Sequence, residues 1–323
     1  MVKPLVIAGH HFANNVIQGP LAGVSCAPFR VLSTIHGAPA FNYTEMISCK
    51  TLIHQPHEAQ KRFIIKDPHE GPLAFQLASS DPVELAQAVK IVTQAGADII
   101  DLNCGCPVNK IRRKSAGSKL LSQPQVLAKL IEAMRANTHL PISIKIRVDG
   151  GSTERFNPDI SNIINESGVD FVTVHGRHWS EHYETPCRYD QIAYFVSALR
   201  VPVIGNGDVS DLASLNKLLA TGCAGVMIGR AGVGKPWLPS QLNAEFLGLP
   251  FNPPAKAAIA QMFLWHVTAL AQLLASERFA VLQARKFGKY YARNMGCSTE
   301  FYPKFNQCES ISEIERLLIN ELA

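Results

Sequence analysis

The chain has 323 residues, room for one large domain and a smaller companion. Its hydrophobic share of 47% suits a packed core and excludes a disordered chain. With no uninterrupted apolar run of about 18 residues, a segment Met1–Val6 too short for a secretory leader and a net charge of only +5, a membrane protein and a uniform polycation are excluded. The expectation is a soluble, cytoplasmic monomer.

Runs of β-branched and aliphatic residues predict strands over Val16–Gly19, Ala40–Glu45, Leu73–Leu77, Asp98–Asn103, Ile142–Arg147, Phe171–His175, Val201–Asn206 and Gly225–Gly229. Amphipathic helices are predicted over Pro82–Ala95, Gln123–Thr138, Asp159–Glu166, Tyr189–Leu199 and Asp211–Ala220. Such an alternation over residues 1–240 is the pattern of an α/β protein of the (β/α)8 TIM-barrel type, whose usual size is about 250 residues. A doubly wound sheet would open with a G-x-G-x-x-G turn, which the chain lacks.

Prolines crowd between Trp237 and Pro254 and mark a boundary. Beyond it, helices are predicted over Ala255–Ser276, Arg278–Met295 and Ser310–Leu322, a small all-helical carboxyl-terminal domain over residues 241–323.

The strand ends carry polar or backbone-permissive groups: Pro20, Glu45, Gln76, Asn103, Lys145, His175, Asn206 with Asp208, and Gly229 with Arg230. Barrel enzymes place their chemistry on that face. The fourth strand delivers Asn103 and Cys106, the latter held between Gly105 and Pro107. Eight cysteines show no disulfide framework, and Cys104-x-Cys106 has no second ligand cluster, so free thiols and no metal are expected.

After the last two strands, Gly205-Asn206-Gly207-Asp208 and Gly229-Arg230 form a phosphate signal, because barrels bind phosphate with backbone N–H groups of these two loops. Lys145 and Arg147 alternate onto one face of the fifth strand, and two cations aimed into a barrel mouth call for an anionic or electron-rich partner such as a flavin. Basic residues cluster twice, at Lys110, Arg112, Arg113, Lys114 and Lys119 and again at Arg285, Lys286, Lys289, Arg293 and Lys304, which suggests a polyanion. Arg285, Lys289 and Arg293 share one helix stripe expected to face solvent, while Phe287, Tyr290 and Tyr291 are expected to pack inward.

These motifs resemble the tRNA-dihydrouridine synthases, and most of all their bacterial B-type branch. The resemblance runs in order through Pro20-Leu21-Ala22-Gly23-Val24, Thr44-Glu45-Met46, Gln76-Leu77, Asn103-Cys104-Gly105-Cys106-Pro107, Lys145-Ile146-Arg147, His175-Gly176-Arg177, Gly205-Asn206-Gly207-Asp208 and Met227-Ile228-Gly229-Arg230. It implies an FMN-dependent reduction of D-loop uridine in tRNA to 5,6-dihydrouridine, with NADPH, or NADH, as electron donor. Hydride would pass from FMN to C6 of the base and a proton from Cys106 to C5. It further implies that Pro20, Leu21 and Ala22 pass under the flavin and that Gln76, Lys145 and His175 meet its ring. Asn103 would line the site, Asn206, Gly207, Asp208, Gly229 and Arg230 would hold the phosphate, and the basic clusters would meet the tRNA elbow. A flexible segment over Val108–Ser118, hinged at Gly117, would close over the base.

The chain departs from the family pattern at His178-Trp179-Ser180 and at Ala78-Ser79. Two other readings use the same residues: an FMN barrel enzyme acting on a small pyrimidine-like molecule, and a tRNA-binding protein whose flavin is structural.

Overall fold

The computed structural model describes residues 3–148 and 158–322, which leaves Met1 and Val2 of the amino-terminal segment outside. An antiparallel hairpin, β1 (Leu5–Ile7) and β2 (His10–Phe12), precedes a parallel sheet. The sheet strands are β3 (Val16–Gln18), β4 (Asn42–Tyr43), β5 (Ile47–Ser48), β6 (Leu73–Ala78), β7 (Ile99–Cys104), β8 (Ile142–Arg147), β9 (Phe171–His175), β10 (Val203–Asn206) and β11 (Gly225–Ile228). Their order is β4-β3-β11-β10-β9-β8-β7-β6-β5, and β4 also pairs with β6. The sheet therefore closes on itself, with β4 and β5 sharing one position, which makes eight positions in a closed barrel.

Helices α1 (Ala27–Gly37), α2 (Cys49–His54), α3 (His57–Ile64), α4 (Pro82–Gln94), α5 (Asn109–Arg112), α6 (Pro124–Arg135), α7 (Pro158–Glu166), α8 (Tyr189–Ala198), α9 (Leu212–Leu219) and α10 (Leu238–Phe246) follow the strands around the outside. Start signals are local: Asp81 caps α4 through the N–H groups of Val83 and Glu84, and Asp211 forms a capping box with Ser214 on α9.

Alternation along each strand sorts the residues into two layers. Leu102 and Cys104 of β7 and Ile142, Ile144 and Ile146 of β8 face the helices, so Asp101, Asn103, Ser143, Lys145 and Arg147 face the barrel axis. The floor of the barrel is apolar: Ile17, Phe41, Tyr43, Ala74, Ile99, Phe171, Ile204 and Met227 pack beneath the amino-terminal hairpin. Phe41 holds that plug, 5.2 Å from Phe12 and 6.0 Å from Phe171.

The carboxyl-terminal helices are α11 (Lys256–Leu274), α12 (Glu277–Met295), α13 (Phe301–Phe305) and α14 (Ile311–Leu322). By length and composition alone α11 is apolar enough to cross a membrane, but Ile259, Phe263, His266, Val267 and Leu270 are buried as a core helix requires. His266 stacks on Phe287 with ring centroids 4.1 Å apart, and burial holds it neutral, its pKa pulled down to about 3.

Two differences from the predicted elements concern the join. The proline-rich stretch read as a boundary contains α10, whose Leu238 and Leu242 belong to the barrel core. In turn Cys26, just before α1, and Phe29 and Leu32 of α1 belong to the core of the carboxyl-terminal helices, together with Trp237. One apolar surface thus runs from the barrel into the tail and fixes α12 against the barrel mouth.

Candidate active site

At the carboxyl ends of the strands lies a cavity of about 960 Å³. Its wall includes Pro20, Leu21, Ala22, Gln76, Asn103, Cys106, Lys145, His175, Asn206, Gly207, Asp208, Gly229 and Arg230, so the structure brings all of these sequence-predicted residues together. Arg147, Arg177, Tyr183, Lys235, Tyr290 and Arg293 add to its polar lining. Lys145, Arg147, Arg177, Arg230, Lys235 and Arg293 bring basic side chains, and Asp208 is the one carboxylate among the described lining residues.

The wall is assembled from short-range constraints. In the loop after β3, Ser25 Oγ accepts the Leu21 N–H at 2.9 Å and Arg30 Nη1 donates to the Ser25 carbonyl at 2.8 Å. The Glu45 carboxylate accepts the Gly23 N–H and receives Arg62 Nη2 at 3.4 Å. Glu45 therefore buttresses this loop from behind and does not line the cavity.

A relay of side chains crosses the barrel beneath the cavity. Asp101 accepts hydrogen bonds from Ser143 Oγ at 2.6 Å and from Gln76 Nε2 at 2.8 Å. Gln76 Oε1 accepts from Asn103 Nδ2 at 2.8 Å, and Asn103 Oδ1 accepts the backbone N–H of Cys106 at 2.8 Å. Each amide in the chain can take only one orientation, because its neighbour presents a single donor or acceptor. Burial pushes the Asp101 carboxyl up to about 6, against the hydrogen bonds from Ser143 and Gln76 and the charge of Lys145.

Lys145 donates to Asn206 Oδ1 at 2.9 Å, and Asn206 Nδ2 donates to the Met227 carbonyl at 2.9 Å. Burial, with Arg147 close by, pulls the Lys145 ammonium down to about 7. His175 is held well below the ordinary histidine range by burial and by the charges of Lys145, Arg147, Arg177 and Arg230, so it is neutral at pH 7. Burial raises the Cys106 thiol, which keeps it protonated at neutral pH. Cys104 points away, into the packing between β7 and its helices, and its thiol is raised well above the usual value.

The loops after β9, β10 and β11 meet over one end of the cavity. Both oxygens of Asp208 take Arg177 Nη2 at 2.6 Å, and Asp208 Oδ2 accepts the Cys187 N–H at 3.1 Å. Asp208 therefore turns its carboxylate to Arg177, leaving its main chain to any bound anion. Gly207 has φ +141°, and a Cβ there would come within 2.5 Å of Cys187 Sγ, so only glycine fits. Asp208 follows with φ 56°, so the loop turns sharply on two consecutive positive-φ residues at this end of the cavity. The guanidinium of Arg230 lies 3.7 Å over the Tyr183 ring, held ready at the same end.

The basic segments differ from their predicted form. Val108–Ser118 contains the single turn α5, and a 3₁₀ helix begins at Gly117. Gly117, with φ +62°, lies so close to Cys106 that a Cβ would come within 2.8 Å of the Cys106 carbonyl oxygen, so the expected hinge position is also a packing contact. Lys110, Arg113 and Lys114 are exposed, whereas Arg112 is half-buried.

On α12, Phe287 and Tyr291 are buried, and Tyr290 packs partly buried against the same core while also lining the cavity. Lys286, Lys289 and Arg293 are exposed, while Arg285 is half-buried and donates to the Cys308 carbonyl at 3.4 Å. The stripe is therefore shifted by one residue from Arg285 to Lys286, whose side chain reaches over Gly23.

Residues 17–322 match the family described as dihydrouridine synthase. The chain belongs to that family. It is 32% identical over 309 residues to tRNA-dihydrouridine synthase B of Proteus vulgaris and 31% identical over 309 residues to that of Escherichia coli K12, in each case covering 95% of both chains. This dihydrouridine synthase is thus of the B type, an oxidoreductase. Among solved structures it is similar to the old yellow enzyme homologue of Zymomonas mobilis, with a TM-score of 0.59 and 11% identity over 80% of this chain and 95% of that one. A variant of that protein gives a TM-score of 0.57 and 12% identity over 80% and 94%. At these identities the likeness concerns the barrel fold.

Proposed function

We propose that the protein reduces uridines in the D-loop of tRNA to 5,6-dihydrouridine, with FMN held in the cavity and NADPH as the electron donor. The observation that carries this reading is the strand-tip cavity that unites Cys106 with six basic side chains and the glycine-bearing loops after β10 and β11. The residues present fit FMN. The volume is that of a cofactor pocket, the phosphate would meet Gly207, Asp208 by its main chain, Gly229 and Arg230, and the ring would meet Gln76, Lys145 and His175. Pro20, Leu21 and Ala22 would lie under that ring, with Asn103 and Asn206 beside it. When bound, the flavin supplies the hydride delivered to C6 of the uracil.

The chain's own part is to hold the base and to move a proton. Cys106 donates its thiol proton to C5 as negative charge builds on the uracil. The buried relay from Asp101 through Gln76 and Asn103 holds the Cys106 backbone and so the direction of that thiol. Lys145 and Arg147 favour the growing negative charge.

The carboxyl-terminal helices α11 to α14 serve as the tRNA-binding part. Lys286, Lys289 and Arg293 on α12, with Lys110, Arg113 and Lys114 beside the Cys106 loop, would contact phosphates. Arg293 and Tyr290 reach the cavity itself, so the basic helix and the reacting centre form one surface, which favours a polynucleotide over a small pyrimidine.

The test is direct. Protein loaded with FMN and given NADPH should convert an unmodified tRNA transcript to a product about 2 Da heavier, mapped by mass spectrometry to the D-loop. A yellow, reducible protein that leaves every uridine intact would exclude the reading.

A further inference from the structure

We infer that Trp179 is a positioning residue for Cys106, acting through Arg112 and Ser118. The inference rests on the reading of Cys106 as proton donor. Trp179 stands where the chain departs from the family pattern. Its ring carries the Arg112 guanidinium, whose central carbon lies 3.4 Å from the ring centroid.

Arg112 Nη1 donates to Ser118 Oγ at 2.7 Å, and Ser118 Oγ donates to the Cys106 carbonyl at 3.0 Å. The Ser118 N–H reaches the same carbonyl at 3.1 Å. The chain from indole to cysteine is therefore continuous: aromatic face, guanidinium, hydroxyl, carbonyl.

Its two ends are anchored separately. The Trp179 turn is held by Glu181, which accepts the His178 N–H at 2.7 Å and pairs with Arg188. Arg147 supplies a parallel tie, donating to the Gly105 carbonyl at 2.8 Å and to the His178 carbonyl at 3.1 Å. Two arginines thus strap the Cys106 loop to the loop after β9, one on each side of the cysteine.

The segment between them needs such a strap. Ser115 has φ 56° and Gly117 φ 62°, and the left-handed conformation is unfavourable for serine. Without the indole beneath it, the long Arg112 side chain has many rotamers, and the Ser118 hydroxyl loses the donor that fixes its direction.

Trp179→Ala, Trp179→Phe and the parent enzyme, all loaded with FMN, test this. One readout is the rate of Cys106 alkylation by iodoacetamide, followed by peptide mass spectrometry with Cys297 as internal reference; the other is single-turnover reduction of tRNA. Trp179→Ala should alkylate Cys106 about 10-fold faster and turn over about 10-fold more slowly, the factor that matches a lost cation–π contact, with an unchanged KM for tRNA. Trp179→Phe retains an aromatic face and should return both rates to near the parent. The proposal is overturned if Trp179→Ala alkylates at the parental rate, or if its defect is a raised KM that Phe does not relieve, which would make Trp179 an RNA contact. If Cys106→Ala turned over normally, the proton-donor reading would fall, while the alkylation rates would still decide whether Trp179 holds the loop.

Discussion

The side-chain oxygen of Asn103 accepts the backbone N–H of Cys106 at 2.8 Å, so the last inward residue of β7 fixes the cysteine beyond it. Behind Asn103 stand Gln76 and then Asp101, which ends the relay in the dry interior. Asp101→Ala would leave the Gln76 amide and the Ser143 hydroxyl without their acceptor. Such orphaned donors cost about 1–3 kcal/mol each, so urea unfolding should show a loss of that order. Single-turnover reduction should slow as well, because Asn103 would no longer be held to one orientation. Unchanged stability and rate would mean that the relay is incidental.

Arg230→Ala should weaken FMN retention by about 2 kcal/mol, the scale of a charge-assisted contact to phosphate. The Tyr183 platform beneath Arg230 gives a second arm. Tyr183→Phe should bind FMN as the parent does, whereas Tyr183→Ala should lose affinity. Fluorescence titration of the apoprotein measures both.

With FMN held as proposed, Lys145 should make its binding dependent on pH. Its folded value of about 7 lies below the ordinary lysine value, so in the empty cavity it is largely neutral at pH 8. An anionic ligand favours the charged ammonium and raises that value. Binding at pH 8 should therefore take up a proton, and affinity should fall as pH rises above about 7. Calorimetry in buffers of different ionisation enthalpy reads the proton directly. Lys145→Met should abolish the uptake, and a proton released on binding by the parent would contradict the assignment.

Replacing Lys286, Lys289 and Arg293 with Glu should raise the KM for tRNA and reduce the salt dependence of binding, by roughly one in the log–log slope for each lost phosphate contact. Arg285→Glu should instead lower stability, because the half-buried Arg285 faces the Cys308 carbonyl. A triple variant with parental tRNA affinity would move the RNA surface to Lys110, Arg113 and Lys114.

The barrel is legible in the sequence because its strands are short runs rich in β-branched and aliphatic residues set between amphipathic helices, and β8 and β9 have the bounds that the pattern predicts. By contrast, α1 escapes a periodicity reading: Ala27 through Ser33 are all buried, since it packs between the barrel and the carboxyl-terminal helices. The opening hairpin escapes because its strands have three residues each.

In the site, strand-tip residues are legible by alternation, and Asp101 could have been found in the same way, two residues before Asn103. The partners made by loops are not legible. Arg177 on Asp208, Arg230 over Tyr183 and Arg112 over Trp179 depend on how the segment between Arg177 and Arg188 folds back, which no local pattern specifies.

The central claim is that Cys106 donates the proton to uracil. It is tested most directly by single-turnover reduction of tRNA with enzyme reduced in advance, comparing Cys106→Ala with Cys104→Ala. Burial keeps the Cys106 thiol protonated at the cavity wall, whereas Cys104 faces the helices. Cys106→Ala should keep its flavin and its reduction by NADPH yet transfer to uridine about 10²-fold more slowly or worse, the usual scale for a general acid. Cys104→Ala should match the parent. Equal rates for the two variants would contradict the account.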